Sequence, residues 1–358
     1  MLTIYDPITL TRMWNYTKIT SSQWTRRFYD IGSFEIHLPP NTDNVKYLKH
    51  HNIIYEHGNF GIILYIKQNR NDIEVRGYDL KGICSMRQVI PPFIYMDAPI
   101  DPLYGYDRIK GKAETVMKHY IQTQLTNPTD VNRKINNMRI EADLVRGPDM
   151  AWQAKFTTLS TELQKIGTFS QMGYDIVLDR ANKKLVFDVI QGTDRTKNQN
   201  VVSPVIFSRE YRNIDDFEYE NDSFGSVNTL YVGGNGEEEE QYITKIYNVE
   251  YSGINRTEGY TSVSSDDVEE VEDGGMSYLE ENSVKETVEA DANQKLKYNK
   301  DWFLGDYISV IADVLGEKIL LNKQITEVQE VYEHGNVKIM PTFGEKKDSV
   351  IKRLIRRQ

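Results

Sequence analysis

Alternating hydrophobic and polar positions in the first hundred residues predict β-strands. The alternation covers residues 24–38, where it ends at two prolines, and residues 73–78. Between them, the runs 53–55 and 60–66 flank the turn Glu56-His57-Gly58-Asn59, whose glycine and asparagine favour a β-hairpin. Four prolines in residues 91–105 predict an ordered but irregular loop. The chain is therefore expected to begin with a β-rich region.

Apolar residues at helical spacing appear in the middle of the chain and predict two helices packed on a sheet. The two sets are Val116, Met117, Tyr120 and Ile121, and then Phe156, Leu159, Leu163 and Ile166. A second hairpin is predicted over residues 174–178 and 184–190, around a turn at 179–183. The middle of the chain is thus mixed α+β.

The end of the chain returns to strand patterns at residues 307–311, 318–321, 325–332 and 337–340. The pentapeptide Tyr55-Glu56-His57-Gly58-Asn59 recurs there as Tyr332-Glu333-His334-Gly335-Asn336, again between two strand-like runs. Either the first and last β regions are similar small barrels, or two hairpins share the same turn chemistry by coincidence. The first alternative predicts two related β domains.

The stretch 266–289 carries ten acidic residues against one lysine and is interrupted by two glycines. Leu279, Val284 and Val288 give it only a narrow apolar stripe, which cannot sustain a core. A solvent-exposed acidic loop followed by a helix is predicted.

These patterns predict an α+β, mainly β fold in which two small barrel-like domains flank a mixed middle. The expected order is a first β domain at 1–105, a mixed domain at 106–225, a strand with an acidic loop and helix at 226–300, strands completing a second barrel-like domain at 301–345, and a basic tail at 346–358. The domains are expected to be discontinuous in sequence.

Composition and charge narrow the possible functions. The 358 residues include 23 tyrosines and 12 phenylalanines, a balance that favours contact faces over a single oily core. The formal charge of −10 opposes binding of nucleic acid through phosphate neutralisation. The one cysteine, Cys84, excludes an intrachain disulfide, and no apolar run reaches the length of a membrane helix. No membrane anchor or export signal is expected.

The residues of a catalytic or metal site are not found at the required spacings. The six histidines lack metal-ligand spacing, the glycines at 233–236 precede four glutamates that would repel phosphate, and Cys84 has no nearby histidine. Two positioned carboxylates are enough for a glycosidase, and a chain with 53 acidic residues leaves that alternative open. The prediction is a protein without catalytic activity and without a cofactor or metal.

Several short motifs, taken in order, resemble tail hub proteins of Gram-positive siphophages and tailocins. They are the aromatic and basic strand 24–36 followed by Leu38-Pro39, the segment 75–82 with Arg87, the segments 192–196 and 205–208, the segment 253–258, and the segment 302–307. No motif is a catalytic signature, and the weight lies in their order and in their coverage of nearly the whole chain.

The resemblance implies a structural hub, similar in role to the baseplate hub of contractile tails. Such a hub is a homotrimer whose two barrel-like domains per subunit form a pseudo-six-fold ring around a channel, joining the tail tube to a spike or tail tip. The implied partners are tail tube or distal tail proteins, the spike or tip protein, baseplate proteins and the tape measure protein. The implied location is the tail particle, after synthesis in the host cytoplasm. A cell-surface glycan-binding or wall-degrading tail component is the alternative.

The same motifs supply candidate residues for assembly or for the structural framework: Trp24, Arg27, Gly32, Phe34, Tyr78, Asp79, Arg87, Asp194, Arg195, Arg256, Glu258, Trp302, Gly305 and Asp306. Their glycines indicate turns or bulges, and an ion pair between Asp194 and Arg195 is one reading. If the β regions line a channel, its inner face should be neutral or negative, and the basic tail should lie outside the lumen against an acidic patch.

Overall fold

The computed structural model describes residues 1–91, 105–236, 241–293, 295–333 and 335–345. The fold is mainly β, with 45% of residues in strands and 17% in helices, as the sequence predicts. The predicted loop at 91–105 lies almost entirely outside the described residues, and so does the basic tail at 346–358. No helix in the described ranges is long and apolar enough to cross a membrane.

The secondary structure follows the predicted order of strands, mixed middle and strands. The first region contains β1 Leu2–Tyr5, β2 Arg12–Tyr16, β3 Ser21–Arg27, β4 Ser33–Leu38, β5 Ile53–Glu56, β6 Asn59–Gln68 and β7 Ile73–Asp79. The middle contains β8 Asp107–Lys112, α1 Ala113–Ile121, β9 Met138–Ile140, β10 Asp149–Ala154, α2 Leu159–Ser170, β11 Met172–Asp179 and β12 Lys184–Gln191.

The remaining part of the chain contains β13 Ile206–Ser208, β14 Ile214–Asp222, β15 Thr229–Gly233, β16 Ile243–Ile246, β17 Glu258–Ser262, α3 Val268–Glu281, β18 Lys285–Ala292, β19 Tyr307–Val314, β20 Glu317–Glu333 and β21 Asn336–Phe343. Strands β13 and β14 precede the small unit of β15, β16, β17 and α3, yet they pair with strands that follow it. The second β region is therefore discontinuous in sequence.

One large sheet joins the two β regions. Its strand order is β14-β18-β21-β20-β3-β4-β7-β6-β5-β1-β2, with β19 and β13 attached beside β20. Strand β20 has 17 residues: its first half pairs with β19, and its second half pairs with both β21 and β3. The antiparallel pairing of β20 with β3 runs from Glu327 opposite Arg27 to Glu333 opposite Ser21.

Each region buries its own hydrophobic cluster. Side chains from β1 to β7, including Leu2, Trp24 and Ile63, form the first cluster, while Phe207, Trp302 and further side chains from β13, β14 and β18 to β21 form the second. The helices α1 and α2 pack on β11 and β12 in the middle, and α3 packs on β15 to give a fourth, small cluster.

The predicted hairpins are confirmed by strand pairing. Strand β5 pairs with β6, β11 with β12, and β20 with β21. In both copies of the repeated pentapeptide the strand ends at the glutamate and resumes at the asparagine, and the glycines of the two turns have positive φ, 93° at Gly58 and 81° at Gly335. The two hairpins therefore share the pairing of a glutamate with an asparagine and a glycine with positive φ, which shared turn chemistry alone can produce.

Three predictions of local structure need correction. The run 24–38 is two strands, β3 and β4, because the chain leaves the sheet between Phe28 and Gly32. Helix α2 begins at Leu159, so Phe156 lies outside it, half exposed and with φ of 48°. The residues 318–321 and 325–332 belong to the single strand β20.

The acidic stretch was predicted as a loop followed by a helix, and this order is wrong. The helix α3 comes first, and the following residues form β18, a strand within the large sheet. Val288 belongs to the second core, whereas Val284 is half exposed between the two elements. The error arose because Leu279, Val284 and Val288, at spacings of five and four residues, were assigned to one apolar stripe. In the structure they lie in α3, between α3 and β18, and in β18.

His37 on β4 gives the fold a predicted pH dependence. Its Nδ1 lies 2.5 Å from Asp72 Oδ2 and its Nε2 lies 2.9 Å from Glu35 Oε1. Partial burial lowers the pKa of His37, but the hydrogen bonds to the two carboxylates outweigh it and raise the pKa above its ordinary value. A raised histidine pKa stabilises the fold below the unfolded-state pKa, near 6.5, and this contribution is lost as pH rises through the folded-state value.

We therefore expect the free energy of unfolding to fall between pH 6 and pH 9, and to fall less in His37→Gln. Urea denaturation across this range measures the difference between the two proteins. An identical pH dependence in both would show that His37 does not carry it.

Candidate functional site

Most of the candidate residues meet at the junction of the two β regions and the middle region. Phe28, which follows β3, donates its backbone N–H to the carbonyl of Thr326 at 2.8 Å. Its ring packs directly on two glycines: a Cβ at Gly173 would lie 2.5 Å from ring carbons, and a Cβ at Gly305 would overlap the ring. Gly305 also has φ of 95°, which favours glycine. Phe28 therefore joins all three regions. It lies within the motif 24–36 but was not among the candidate residues.

Asp306 organises the second side of this junction. It is 3% exposed and accepts hydrogen bonds from the backbone N–H of Thr193 at 3.0 Å, from that of Phe303 at 3.0 Å and from Arg195 Nε at 2.8 Å. The predicted ion pair of Arg195 with Asp194 is not formed, because Arg195 pairs with Asp306. Asp194 instead accepts from the backbone N–H of Thr196 at 2.8 Å and shapes its own loop.

A buried cluster of charges lies on the first side of the junction. Asp79 is 1% exposed, with Lys81 Nζ 3.8 Å and Arg26 Nε 3.7 Å from its Oδ2, and Arg26 also binds Asp175 Oδ2 of β11 at 2.6 Å. The ammonium of Lys81 donates to the carbonyls of Arg27 and Asp30. Burial raises the pKa of Asp79, with both cations opposing it, and burial lowers the pKa of Lys81.

The other candidates of the first motif lie on β3, on β4 or between these two strands. Trp24 is fully buried, its ring centroid lies 4.9 Å from that of Phe34, and its Nε1 donates to Glu56 Oε2 at 3.0 Å. Arg27 Nε binds Glu327 Oε2 at 2.7 Å and so ties β3 to β20. Gly32 lies against Asp79, where a Cβ would be 2.6 Å from Oδ2.

The remaining candidates are spread over separate places. Trp302 is fully buried in the second core and donates to the carbonyl of Leu296 at 3.1 Å. Arg87 follows the turn Leu80–Met86, and its carbonyl accepts from the N–H of Leu159 at 2.9 Å. Tyr78 is 38% exposed, on the outer face of β7. The candidates thus divide between buried framework and exposed surface.

Arg256 and Glu258 lie apart from the junction, at the small sheet of β15, β16 and β17. Arg256 Nε binds Glu258 Oε1 at 2.6 Å, and its guanidinium also donates to Tyr231 OH at 3.1 Å. Tyr260 and Ile254 nearby are 57% and 98% exposed. Of the predicted sites, this pair is the one on an exposed surface rich in tyrosine.

A further network near the hairpin tips was missed by sequence reasoning. The rings of His57 and Tyr332 stack with centroids 3.9 Å apart, so the two copies of the repeated turn contact each other. Tyr332 OH donates to Glu330 Oε2 at 2.5 Å, and Asn59 Nδ2 donates to Glu330 Oε1 at 3.1 Å. The repetition of the pentapeptide was the available signal, but it did not show that the two turns would meet.

The buried cysteine and carboxylates described here have the surroundings of structural residues. Cys84 is buried, and burial raises the pKa of its thiol to about 12, so it is a poor nucleophile. Among the described residues no group of three or more histidine, cysteine or acidic side chains is arranged to hold a metal ion. The buried carboxylates Asp79, Glu56 and Asp306 each have a cation or a hydrogen-bond donor close by.

Comparisons with known proteins place the whole fold. A family model described as Siphovirus ReqiPepy6 Gp37-like protein matches residues 1–345. Among solved structures, the prophage tail protein gp18 from Listeria monocytogenes EGD-e matches with a TM-score of 0.57 at 14% identity, covering 99% of this chain and 97% of that one. No curated protein matches.

Two other solved structures share the fold over nearly their full lengths. A 43 kDa tail protein of prophage MuSo2 from Shewanella oneidensis has a TM-score of 0.55 at 10% identity, and a tail protein from Neisseria meningitidis MC58 has 0.53 at 12% identity. In both cases 96% of this chain and 97% of the other chain are covered. The fold is therefore that of prophage tail proteins, and the predicted resemblance to a phage tail family is confirmed.

Proposed function

Because the chain belongs to the Siphovirus ReqiPepy6 Gp37-like family, we propose that it is a structural hub of a phage tail or tail-like particle. Three copies form a ring around a channel, and the ring joins the tail tube to the spike or tail tip. The partners are the tube or distal tail proteins, the tip protein, the baseplate proteins and the tape measure protein. The role is structural and involves no catalytic turnover.

The observation that carries this proposal is the single sheet shared by the two β regions. Each region has its own core, and β20 pairs with β3 to make their sheets continuous. Three chains with two such regions each would offer six similar surfaces to a six-fold tube. We assign the first barrel-like domain to residues 1–91 and the second to residues 205–222 and 285–345. The basic tail then extends outward, to an acidic patch on a neighbour.

Three rows of side chains cross the sheet from one β region to the other. Strand pairing puts the members of each row opposite one another, on the face turned away from the two cores. The rows are Lys338-Val331-Gln23-Glu35-Arg76, Met340-Gln329-Thr25-Ser33-Tyr78, and Glu218-Glu289-Thr342-Glu327-Arg27. They hold four carboxylates and three cations, which suits a wall that DNA must pass without adsorbing. This face lines the channel.

A change of charge on this face tests the assignment. The triple variant Gln23→Lys, Gln329→Lys and Glu218→Lys should assemble into tails of normal appearance but deliver DNA at least about tenfold less efficiently, since phosphate would be retained. Plating efficiency and DNA release from purified phage particles measure the effect. The control, Asn41→Lys, Asn71→Lys and Glu317→Lys, changes the charge equally at exposed positions outside the rows. Equal loss in both variants would refute this placement of the channel face.

The copy number has a separate test. A density map of the assembled tail should show three copies of this chain around the axis, each contributing both β regions to one ring. Six copies, or one copy off the axis, would contradict the hub assignment. The assembled particle is required because trimerisation can depend on its partners.

A further inference from the structure

A cleft separates the middle region from the small unit of α3. Its volume is about 410 Å³. Trp152 of β10 and Lys155, the residue after that strand, contribute to one wall. Ser262 at the end of β17 and Tyr278 of α3 contribute to the other. Among the contacts that join the walls, Asp273 Oδ2 accepts the N–H of Ala151 at 2.6 Å, and Gln153 Nε2 donates to the carbonyl of Ser264 at 3.0 Å.

Four of the charged side chains that line the cleft, Glu162, Lys165, Glu270 and Lys155, contact protein partners. Glu162 is 4% exposed and accepts from Trp152 Nε1 at 3.0 Å, with Lys165 Nζ 3.5 Å away. Glu270 is 5% exposed and accepts from Ser265 Oγ at 2.5 Å. The ammonium of Lys155 lies 4.1 Å from the ring centroid of Tyr106. The lining also includes the exposed Glu281, so two lysines and three glutamates face the cleft and their charges nearly cancel. The cleft therefore suits a neutral ligand better than a strongly charged one.

The rest of the lining combines aromatic rings with neutral hydrogen-bonding groups. Tyr106 and Tyr278 are half-buried, and Thr261, Ser262 and Ser277 supply hydroxyl groups. Concave sites with apolar surface and a few convergent polar groups are where small ligands bind. A sugar presents C–H bonds on its ring faces and hydroxyls at its edges, which matches rings and hydroxyl groups set side by side.

We propose that this cleft binds a neutral saccharide, as one or two sugar units of a longer glycan. This goes beyond the proposed hub function, because a ring around a channel does not require it. The structure favours binding without hydrolysis. Both buried carboxylates accept hydrogen bonds from fixed neighbours. A glycosidase needs one carboxyl free as an acid and the other free to attack or to activate water.

The test uses the purified full-length chain with neutral oligomers of N-acetylglucosamine and of glucose, and with a polyuronate as the charged comparison. Heteronuclear NMR titration should give saturable shifts for a neutral oligomer, with a dissociation constant of about 0.1 to 10 mM. Tyr106→Ala should weaken this binding about tenfold. Tyr106→Phe should retain most of it, since the ring is kept.

The matched control is Tyr260→Ala, which removes a tyrosine exposed at 57% of its surface outside the cleft and should leave binding unchanged. Absence of saturable shifts with every neutral oligomer would overturn the proposal, as would preferred binding of the polyuronate, equal weakening by the two alanine variants, or release of shorter sugars. Assembly of Tyr106→Ala into tails is scored in parallel. Loss of sugar binding with intact tails separates this site from the hub function, and failure of the hub tests leaves the titration interpretable.

Discussion

Replacement of Gly305 by alanine should destabilise the protein by about 3 to 6 kcal/mol, enough to unfold a marginally stable domain. Two costs add at this position. The backbone at φ of 95° is unfavourable for any residue with a Cβ, and the new methyl group would overlap the ring of Phe28. Phe28 cannot move away freely, because Gly173 packs on its ring as well. Urea denaturation followed by circular dichroism measures the loss, or soluble yield if the variant does not fold.

Gly316 provides a matched control for the backbone term. It lies in the turn between β19 and β20 with φ of 88°, and a Cβ there would meet no atom within 4 Å. Gly316→Ala should therefore cost only the conformational strain, about 1 to 2 kcal/mol. The difference between the two variants isolates the contact with Phe28. Equal losses would mean that the ring of Phe28 yields easily, and the three regions would then not be held together at this point.

The hairpins were predictable from sequence because the residues that specify them are close together along the chain. The pairs β5–β6 and β20–β21 are closed by a two-residue turn next to alternating side chains, so the relevant information lies within about a dozen residues. The helices α1 and α2 were predictable for the same reason, because apolar residues recur at helical spacing within each of them. Prediction failed at β18, where tertiary pairing with β14 and β21 overrides a weak local pattern.

The junction could not be assembled from sequence, because its partners are far apart along the chain. Arg26 meets Asp175 across 149 positions, and Arg195 meets Asp306 across 111. The motifs correctly drew attention to Gly305 and Asp306, but they supplied no distances and suggested Asp194 as the partner of Arg195. Lys81 lies within the segment 75–82 but was not among the candidate residues. Its position between Leu80 and the apolar Ile83 and Cys84 was the available signal of a buried, paired lysine.

Because several candidate residues are buried, the motifs mark the structural framework of the chain as well as possible contact surfaces. Trp24, Trp302 and Asp306 have their hydrogen-bond partners inside the chain and are not available to a neighbouring subunit. Asp306 also ties the second β region to residues 193–195. Surfaces that touch other proteins must be sought elsewhere, for example on the exposed tyrosine-rich sheet that carries Arg256 and Glu258. The proposed hub function requires this rigidity, because the two β regions of each copy would have to hold a fixed angle within a ring.

Lys81→Met should cost about 3 to 5 kcal/mol, because it removes the ammonium and leaves its partners buried. The carbonyls of Arg27 and Asp30 would lose their donor, and Asp79 would keep only Arg26 nearby. Methionine fills a similar volume, so packing changes little. The control is Lys112→Met, whose salt bridge with Asp149 at 2.7 Å lies at the surface and should contribute about 0 to 1 kcal/mol. Chemical denaturation of both variants compares the losses.

The pH dependence of Lys81→Met identifies the cause of its loss. Burial already raises the pKa of Asp79, and removal of a cation that opposes this shift should raise it further. A carboxyl with a folded-state pKa above the unfolded-state value near 3.8 costs stability at higher pH, and the cost disappears as pH falls towards that value. The deficit of Lys81→Met should therefore shrink between pH 7 and pH 4. Adding Asp79→Asn should recover part of it at pH 7, because the unpaired charge is then gone. If the deficit is the same at both pH values and the second substitution recovers nothing, the loss comes from the two carbonyls, and the ion pair with Asp79 does not hold the junction.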